Sequence, residues 1–310
     1  MEGVVDPYMR ELLTRLGGYD GCVTEFIRVT GRRLSRKSVQ RICPELGNGG
    51  TTDSGTPVTV QLLGGDADAM AQNAATIARM GAPGIDLNFG CPSKKVNSKD
   101  GGAVLLKEPE RLYQIIAAVR QAVPAQTPVS AKIRLGYEDT GLALANALAV
   151  ENAGADFVTV HARTRRDGYR APARWEWLAR VNGALTIPVI ANGDIRTVED
   201  YHRCREISGC EDVMIGRAAV SRPDLARQIR SSLLQQETRA LDWPGVRALL
   251  LGLGERMAQD IESRHVATRL KQWLAMLKQE YHEAGGCFER LRKTRDFDEM
   301  APLLRGFQWL

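Results

Sequence analysis

A cysteine and an asparagine lie together in a segment that could carry acid–base chemistry. Residues 86–93 are Asp-Leu-Asn-Phe-Gly-Cys-Pro-Ser, directly after an apolar run. Asn88 and Cys91 therefore follow the predicted end of a strand. A thiol there can act as a nucleophile or as a proton donor, and Lys94 and Lys95 could lower its pKa. The alternatives are an inert packed cysteine and lysines that serve only as surface charge.

Two further reactive side chains interrupt apolar runs. Lys132 lies in Ser-Ala-Lys-Ile-Arg-Leu and His161 in Val-Thr-Val-His-Ala. A lysine is unfavourable to bury without a partner, so its place inside an apolar run favours a position facing a cofactor or substrate. For His161, a core histidine with satisfied hydrogen bonds is the alternative.

Glycine and charged residues follow the last two apolar runs. Asn192-Gly193-Asp194 comes after one run and Gly216-Arg217 after the next. Glycine lets backbone N–H groups approach a phosphate, and arginine supplies charge. Two ordinary glycine turns are the alternative, but their occurrence after consecutive strands favours a cofactor that carries a phosphate.

Seven apolar runs alternate with alanine-rich helical patterns, and they must position these side chains. The runs are rich in β-branched residues and nearly uninterrupted, as in parallel strands that are buried on both faces. They are Cys22–Ile27, Val58–Leu63, Gly84–Phe89, Val129–Leu135, Asp156–Ala162, Ile187–Ala191 and Asp212–Ile215. The alternation predicts an α/β fold, either a (β/α)8 TIM barrel or a doubly wound open sheet. The barrel is favoured because polar residues follow nearly every run, and a barrel brings these ends to one mouth.

The character of the chain changes after about residue 235, where strand-like runs stop. We therefore expect a catalytic barrel domain over residues 1–235 and a small all-helical domain over residues 236–310. Within residues 264–282 an apolar face of helical spacing lies beside a basic face. The apolar face comprises Val266, Leu270, Trp273, Leu274, Leu277 and Tyr281. A solvated surface is the alternative to a partner-binding role for the basic face.

Composition excludes several classes of protein. The 310 residues are 44% hydrophobic and 25% charged, and no apolar run approaches the length of a bilayer span. The six cysteines include no Cys-x-x-Cys pair, and the four histidines are dispersed. We therefore expect a cytoplasmic protein without a disulfide scaffold, a metal site or a membrane partner, and we predict no obligate protein partner.

The net charge of +5 is unevenly distributed. Residues 28–41 contain six basic side chains and no acid, residues 93–99 three lysines and no acid, and residues 163–174 five arginines and one aspartate. Each stretch follows a predicted strand, which places all three around the barrel mouth. A basic rim suggests a polyanionic substrate with one base inside the pocket, which Tyr169 could stack on.

Together these motifs resemble the tRNA-dihydrouridine synthases over nearly the whole chain. Besides residues 86–93, the resemblance rests on Lys132-Ile-Arg-Leu-Gly, His161-Ala-Arg-Thr, Ile190-Ala-Asn-Gly-Asp and Met214-Ile-Gly-Arg. The segments Arg41-Ile-Cys-Pro-Glu-Leu, Gly168-Tyr-Arg-Ala and Lys271-Gln-Trp-Leu look closest to the C-type bacterial branch, which modifies uridine 16.

The resemblance implies a TIM-barrel enzyme that uses FMN and NADPH to reduce a uridine of tRNA, with a C-terminal helical domain that grips the tRNA. It implies that Cys91 donates the proton and that Asn88 contacts the flipped uridine. It also implies that the RNA is held by Arg28, Tyr169, Arg269 and Lys271. The flavin contacts that the resemblance implies are Met1, Glu2, Gly3, Gln61, Lys132, His161, Asn192, Gly193, Asp194, Gly216 and Arg217.

One departure concerns the start of the chain. Family members begin with an apolar strand ending in Ala-Pro before Met-Glu-Gly, whereas this chain starts at Met1-Glu2-Gly3. We therefore expect the first barrel strand to be missing, through either a misassigned start or a real truncation. Two other functions remain as alternatives: a flavin barrel acting on a free pyrimidine-like molecule, and an inactive RNA-binding homologue.

Overall fold

The computed structural model describes residues 3–306 and contains one parallel sheet. Its strands are β1 (Cys22–Val23), β2 (Ile27–Arg28), β3 (Val58–Leu63), β4 (Ile85–Asn88), β5 (Val129–Arg134), β6 (Phe157–His161), β7 (Val189–Asn192) and β8 (Val213–Met214). The strands lie in the order β1-β3-β4-β5-β6-β7-β8, and β2 also pairs with β3. Each of the seven predicted runs contains a strand, with the first run divided between β1 and β2.

Strand order decides between the two predicted architectures. From β3 to β8 every strand pairs with the next one in sequence, and all pairs are parallel. A doubly wound sheet reverses its order at a switch point, and no reversal occurs here. The fold is the (β/α)8 TIM-barrel type, followed by a C-terminal helical region.

The two ends of the sheet differ from its centre. Within the described range, β8 pairs with β7 alone, and β1 and β2 pair only with β3. The side chains of β1 and β8 are half-buried, whereas those of β3 to β6 are mostly buried. Residues 3–21 contain one helix and no strand. The described residues thus provide seven strand positions, one for each predicted run.

One helix precedes the sheet, and the alanine-rich patterns between the strands form helices, as predicted. They are α1 (Pro7–Leu16), α2 (Arg36–Ile42), α3 (Ala67–Ala78), α4 (Lys94–Asn97), α5 (Pro109–Ala122), α6 (Ala143–Asn152), α7 (Trp175–Ala184) and α8 (Val198–Ser208). Short 3-10 segments cover Pro44–Gly47 and Gly102–Lys107. Helix α8 shows how the sequence sets such bounds. A capping box between Thr197 and Asp200 begins it, and Gly209 with φ of 67° ends it.

The remaining helices are α9 (Ala218–Ser221), α10 (Leu225–Leu233), α11 (Trp243–Met257), α12 (Ser263–Leu277), α13 (His282–Leu291) and α14 (Phe297–Arg305). The apolar face predicted for residues 264–282 is buried within α12, while Tyr281, just beyond the helix, is half-buried. Among residues 3–306 no helix has both the length and the apolar character that a membrane crossing requires.

The chain forms two compact units whose bounds differ from the domain boundary predicted at residue 235. One unit covers residues 20–216, and the other combines residues 3–19 with residues 217–306. The difference arises because the segment after residue 216 packs with the later helices. The buried indole of Trp273 on α12 donates to the carbonyl oxygen of Val220 on α9 at 2.9 Å. The roles predicted for the two domains stay predictions.

Candidate active site at the strand ends

Five of the predicted site residues lie at the carboxyl ends of adjacent strands. Gln61 is on β3, Asn88 ends β4, Lys132 is on β5, His161 ends β6 and Asn192 ends β7. Asn88 is the cross-strand partner of Lys132, and His161 is the partner of Asn192. The carboxyl ends of parallel strands are where enzymes of this fold place their catalytic groups. The structure thus brings these five side chains to one face of the sheet.

A register shift at the sheet edge helps to place Gln61. Cys22 pairs with Val58, yet Ile27 pairs with Leu62, so the edge segment contains one extra residue. The Oγ1 of Thr24, within that segment, accepts the backbone N–H of Gln61 at 3.0 Å. A side chain therefore supplies a bond that a regular ladder would take from the neighbouring backbone.

The amide of Gln61 belongs to a hydrogen-bonded row across β3, β4 and β5. Its Nε2 donates to Asp86 Oδ2 at 2.7 Å, and its Oε1 accepts from Asn88 Nδ2 at 2.7 Å. Ser130 Oγ donates to Asp86 Oδ1 at 2.7 Å. Burial raises the pKa of the Asp86 carboxyl, while these two hydrogen bonds and the Lys132 charge act in the opposite direction.

Lys132 is half-buried, and its ammonium lacks a carboxylate partner within the described range. Its Nζ donates to Asn192 Oδ1 at 2.8 Å, and Asn192 Nδ2 donates to the Met214 carbonyl oxygen at 2.7 Å. Burial, followed by the charge of Arg134, lowers the pKa of Lys132 to about 8, and Asp86 partly offsets this effect. Such a cation is suited to stabilise negative charge on a bound group.

His161 is buried and contacts an arginine that the sequence analysis did not single out. Arg163 Nη1 lies 3.2 Å from His161 Nε2, and its Nη2 forms an ion pair with Asp194. A guanidinium only donates, so Nε2 accepts and the ring proton belongs on Nδ1. Gly193, with φ of 122°, lies against the ring, and an added Cβ would approach His161 Cδ2 to 3.0 Å.

Asp194 was predicted as a flavin contact, and its carboxylate has protein partners. Besides the ion pair with Arg163, it accepts the backbone N–H of Ala173 at 2.8 Å. Burial would raise its pKa, but the hydrogen bonds from Arg163 and Ala173 hold it below the usual value. These partners indicate that the carboxylate also holds the loop after β6 in place.

Cys91 follows β4 and is half-buried. Its carbonyl oxygen accepts from Ala103 N at 3.1 Å and from Asn97 Nδ2 at 2.9 Å, which fixes the backbone at the thiol. The other cysteines are buried, apart from the half-buried Cys22 on β1, and all six are free thiols. Burial raises the pKa of Cys204 to about 12, which keeps that thiol unreactive.

Arg134 is a second buried arginine that the sequence analysis did not select. Its Nε donates to the Gly90 carbonyl oxygen at 2.8 Å, and its Nη1 donates to the carbonyl oxygens of Thr164 and Gly168 at 3.0 and 2.9 Å. It thereby ties the segment before Cys91 to the loop after β6. Its place two residues after Lys132, on the same side of the strand, was the available signal.

The predicted RNA contact Tyr169 lies at the surface of this unit. Its side chain is 52% exposed, its ring centroid is 6.3 Å from that of His161, and the Arg134 guanidinium lies 5.4 Å from its centroid. Arg28 is half-buried at the end of β2. Tyr169 thus offers an exposed aromatic face near the histidine.

The other predicted contacts, apart from Gly216, lie in the second unit or outside the described residues. Met1 and Glu2 are outside the described range. Arg269 donates to the carbonyl oxygen of Val4 at 3.3 Å and also bonds to Gly3 and Asp6, and Lys271 Nζ donates to the Thr294 carbonyl oxygen. Arg217 is exposed at the start of α9, and Gly216 ends the first unit. Arg269 and Lys271 therefore carry structural bonds besides the RNA role predicted for them.

A TIM-type sheet with a lysine, a histidine, a thiol and three side-chain amides at its strand ends defines an enzyme of the barrel class. The family model for dihydrouridine synthases matches residues 1–298. The chain therefore belongs to the dihydrouridine synthase family, whose members are flavin-dependent oxidoreductases.

Relatives support the same assignment over the whole described chain. A tRNA-dihydrouridine(16) synthase of Aquipseudomonas alcaligenes is 49% identical over 304 residues, covering 98% of this chain and 96% of the relative. The Ralstonia nicotianae protein of the same name is 49% identical over 300 residues, covering 97% and 92%. A third, from Neisseria meningitidis serogroup A, is 47% identical over 309 residues, covering 99% and 93%.

Solved structures show likeness at the level of the fold. A 2-naphthoyl-CoA reductase complex matches with a TM-score of 0.55 at 12% identity, covering 74% of this chain and 46% of that one. A variant of NCR from Zymomonas mobilis matches with a TM-score of 0.53 at 14% identity, covering 78% and 84%. At these identities the comparison concerns architecture alone.

Proposed function

We propose that this protein reduces a uridine of tRNA, at position 16, to 5,6-dihydrouridine, with FMN as cofactor and NADPH as reductant. The observation that carries the proposal is the placement of the family's motif residues at the ends of β3 to β7, within a chain whose full-length relatives are named for this reaction.

The residues at the strand ends fit a flavin. The Lys132 ammonium is half-buried with only an amide oxygen as its protein partner in the described range, so a ligand can supply the counter-charge. Gly193 lets the backbone pass close to His161 where a side chain would collide. Gln61, Lys132, His161, Asn192 and Gly193 would line the cofactor. Met1, Glu2, Gly3, Asp194, Gly216 and Arg217 are the further contacts that we propose on the family resemblance.

Two side chains of the protein have separate roles in the proposed reaction: one stabilises negative charge, and the other donates a proton. A reduced flavin, when bound, would supply a hydride for C6 of the uracil. Lys132 would stabilise negative charge at the site, and the Cys91 thiol would donate a proton to C5, so that the double bond gains one hydride and one proton. Asn88 holds the base, while Arg28, Tyr169, Arg269 and Lys271 would contact the RNA.

The exposed basic residues favour tRNA over a free pyrimidine. Arg32, Arg33, Arg36, Lys37 and Arg41 are all exposed, and they follow β2 at the same strand ends as the site. A small uncharged base does not require a basic surface for binding, whereas the sugar–phosphate backbone of tRNA is bound by such a surface. Activity on free uridine equal to that on tRNA would favour the small-molecule alternative.

Replacement of the thiol tests the chemistry directly. Cys91→Ala should keep FMN bound and allow NADPH to reduce it, yet lose at least about 100-fold in uridine reduction, because a general acid contributes about 10²–10⁴ to the rate. Cys22→Ala, which removes the other half-buried thiol, is the control and should retain activity. Undiminished tRNA turnover by Cys91→Ala would remove Cys91 from the mechanism.

The position in tRNA is tested in cells. Mapping of dihydrouridine in tRNA from cells with and without the gene should show loss at position 16 alone. Loss at another position would contradict the proposed site, and no loss at any position would contradict the proposed activity.

A further inference from the structure

Asp86 is a buried carboxylate with no part in the chemistry described above. It lies on β4 with 1% of its surface exposed, between Gln61 on β3 and Ser130 on β5. One oxygen accepts from Ser130 Oγ and the other from Gln61 Nε2, both at 2.7 Å. Burial of a carboxyl group is unfavourable unless hydrogen bonds compensate for the lost water. The two groups that bond to Asp86 therefore decide what it does.

The bonds extend from Asp86 to the residue before the thiol. Gln61 Oε1 accepts from Asn88 Nδ2 at 2.7 Å, and Asn88 Oδ1 accepts from the backbone N–H of Gly90 at 3.0 Å. Gly90 directly precedes Cys91. The result is one continuous row of hydrogen bonds from the carboxylate to the loop that carries the thiol.

The two ends of this row fix its direction. The Gly90 N–H can only donate, so Asn88 must turn its oxygen toward Gly90 and its nitrogen toward Gln61. Gln61 must then offer its oxygen to Asn88 and its nitrogen to position 86. An acceptor is therefore required at position 86, and Asp86 Oδ2 supplies it in either protonation state, because Ser130 Oγ can accept a proton held on Oδ1.

The fixed direction decides what the site offers to a ligand. Both amide oxygens are engaged, and within residues 3–306 one hydrogen on each amide nitrogen has no protein acceptor. The Lys132 ammonium, on the cross-strand partner of Asn88, adds further donors. This surface presents donors and matches a ligand edge of carbonyl oxygens or deprotonated ring nitrogens.

We propose that Asp86 is a positioning residue that holds the amides of Gln61 and Asn88 with their N–H groups toward the acceptor atoms of the bound ligand. The identity of that ligand, a flavin or a uracil, rests on the proposed function. The orientation of the amides does not, so the two can be tested separately.

Two substitutions separate hydrogen bonding from charge. Asp86→Asn keeps an acceptor for Gln61 and can donate to Ser130, whereas Asp86→Leu has neither and keeps only the branching at Cγ. Ser130→Ala is the matched control, since it removes the other bond to Asp86 and leaves the Gln61 bond in place. The measurements are the side-chain amide resonance of Gln61 in ¹⁵N-glutamine-labelled protein, the FMN dissociation constant at about pH 6, and the melting temperature. At that pH Lys132 is charged, because its pKa is about 8.

Asp86→Leu should shift the Gln61 amide resonance and weaken FMN binding by about tenfold or more, because the ligand loses hydrogen bonds from an amide that is no longer held in place. Its melting temperature should fall, because the buried Ser130 hydroxyl and Gln61 amide each lose a partner, but the protein should remain folded at the temperature of the binding measurement. Asp86→Asn and Ser130→Ala should stay within about threefold of the parent affinity.

Several results would overturn the proposal. One is an unmoved Gln61 resonance in Asp86→Leu, and another is unchanged FMN affinity despite a moved resonance. A third is a fall in melting temperature large enough to account for the weaker binding, which would make Asp86 a folding residue. Should the parent protein bind no FMN, the proposed function fails, and the Gln61 resonance alone then decides whether Asp86 orients the amide.

Discussion

Two arginine-rich segments of the first unit look alike in sequence and differ in structure. Residues 28–41 and 163–174 each follow a strand and each carry a large excess of positive charge. In the second segment Arg163 is buried in an ion pair with Asp194, and Arg174 pairs with Asp167. Arg165 lies 5.1 Å from the Tyr137 ring centroid. In the first segment, the five basic residues after Arg28 are exposed and, among the described residues, form no ion pair.

The difference follows from the place of each segment in the sheet. The 163–174 segment follows a central strand, and its carbonyl oxygens need donors, which Arg134 and Arg163 supply. The 28–41 segment follows the edge of the sheet. There the buried amide of Asn73 on α3 bonds the backbone of Leu34 at 2.7 Å and of Arg32 at 3.2 Å, and the charged side chains are left exposed. One segment uses arginine as scaffold, and the other presents it as surface charge.

The largest effect should come from breaking the buried pair. Arg163→Met leaves Asp194 without its ion-pair partner and should lower the free energy of unfolding by about 3–5 kcal/mol. Urea unfolding measures this loss. Arg166→Met, an exposed neighbour in the same segment, should change stability by less than about 0.5 kcal/mol.

A double substitution sharpens this test. Arg163→Met with Asp194→Asn removes both charges, and asparagine tolerates the positive φ of 56° at position 194. Part of the lost stability should return. If Arg163→Met is as stable as Arg166→Met, the internal role assigned to Arg163 is wrong.

The next effect concerns Lys132, an internal cation without a carboxylate partner in the described residues. Its pKa is lowered from 10.5 to about 8, so the folded state disfavours the charged form. The penalty is fully present below the folded pKa and is relieved as the pH rises from 8 toward 10.5. Lys132→Met should therefore stabilise the flavin-free protein at neutral pH by up to about 3 kcal/mol, and this gain should shrink across that range.

Unfolding of the two proteins across this pH range is the measurement, with Lys95→Met, an exposed lysine, as the control. The control should show no comparable gain. A Lys132→Met variant that is less stable than its parent at neutral pH would contradict an unfavourable buried charge.

Sequence patterns predicted the strands, most helices and the convergence of polar residues, because buried parallel strands leave a continuous apolar signal. The resemblance supplied the family, which the comparisons confirm. Neither the sequence patterns nor the resemblance could predict which individual charged side chains are buried. Arg163 and Arg166 stand in the same basic run, yet one pairs with a residue 31 positions away and the other is exposed. The role of Asp86 could not be predicted from its motif, because its hydrogen-bond partners lie on two other strands.

The smallest effect concerns the exposed segment, where charge should affect binding and not folding. Arg33, Lys37 and Arg41 recur every four residues and are exposed. Their replacement by Gln should leave the melting temperature unchanged and weaken tRNA binding by about tenfold at physiological salt. Each phosphate contact adds about 0.9 to the slope of log affinity against log salt, so the slope should fall by up to about 2.7.

The control removes the same charge from elsewhere on this unit. Arg79, Arg180 and Arg203 are exposed, and Arg79 lies at the C-terminal end of α3, away from the carboxyl ends of the strands. Their replacement by Gln lowers the net charge equally, so long-range attraction falls equally in both variants. Only the Arg33, Lys37 and Arg41 variant should show the shallower slope, because only direct contacts release counterions from tRNA. Equal slopes in the two variants would mean that Arg33, Lys37 and Arg41 act only through the overall charge, and that the exposure of this segment does not mark an RNA contact.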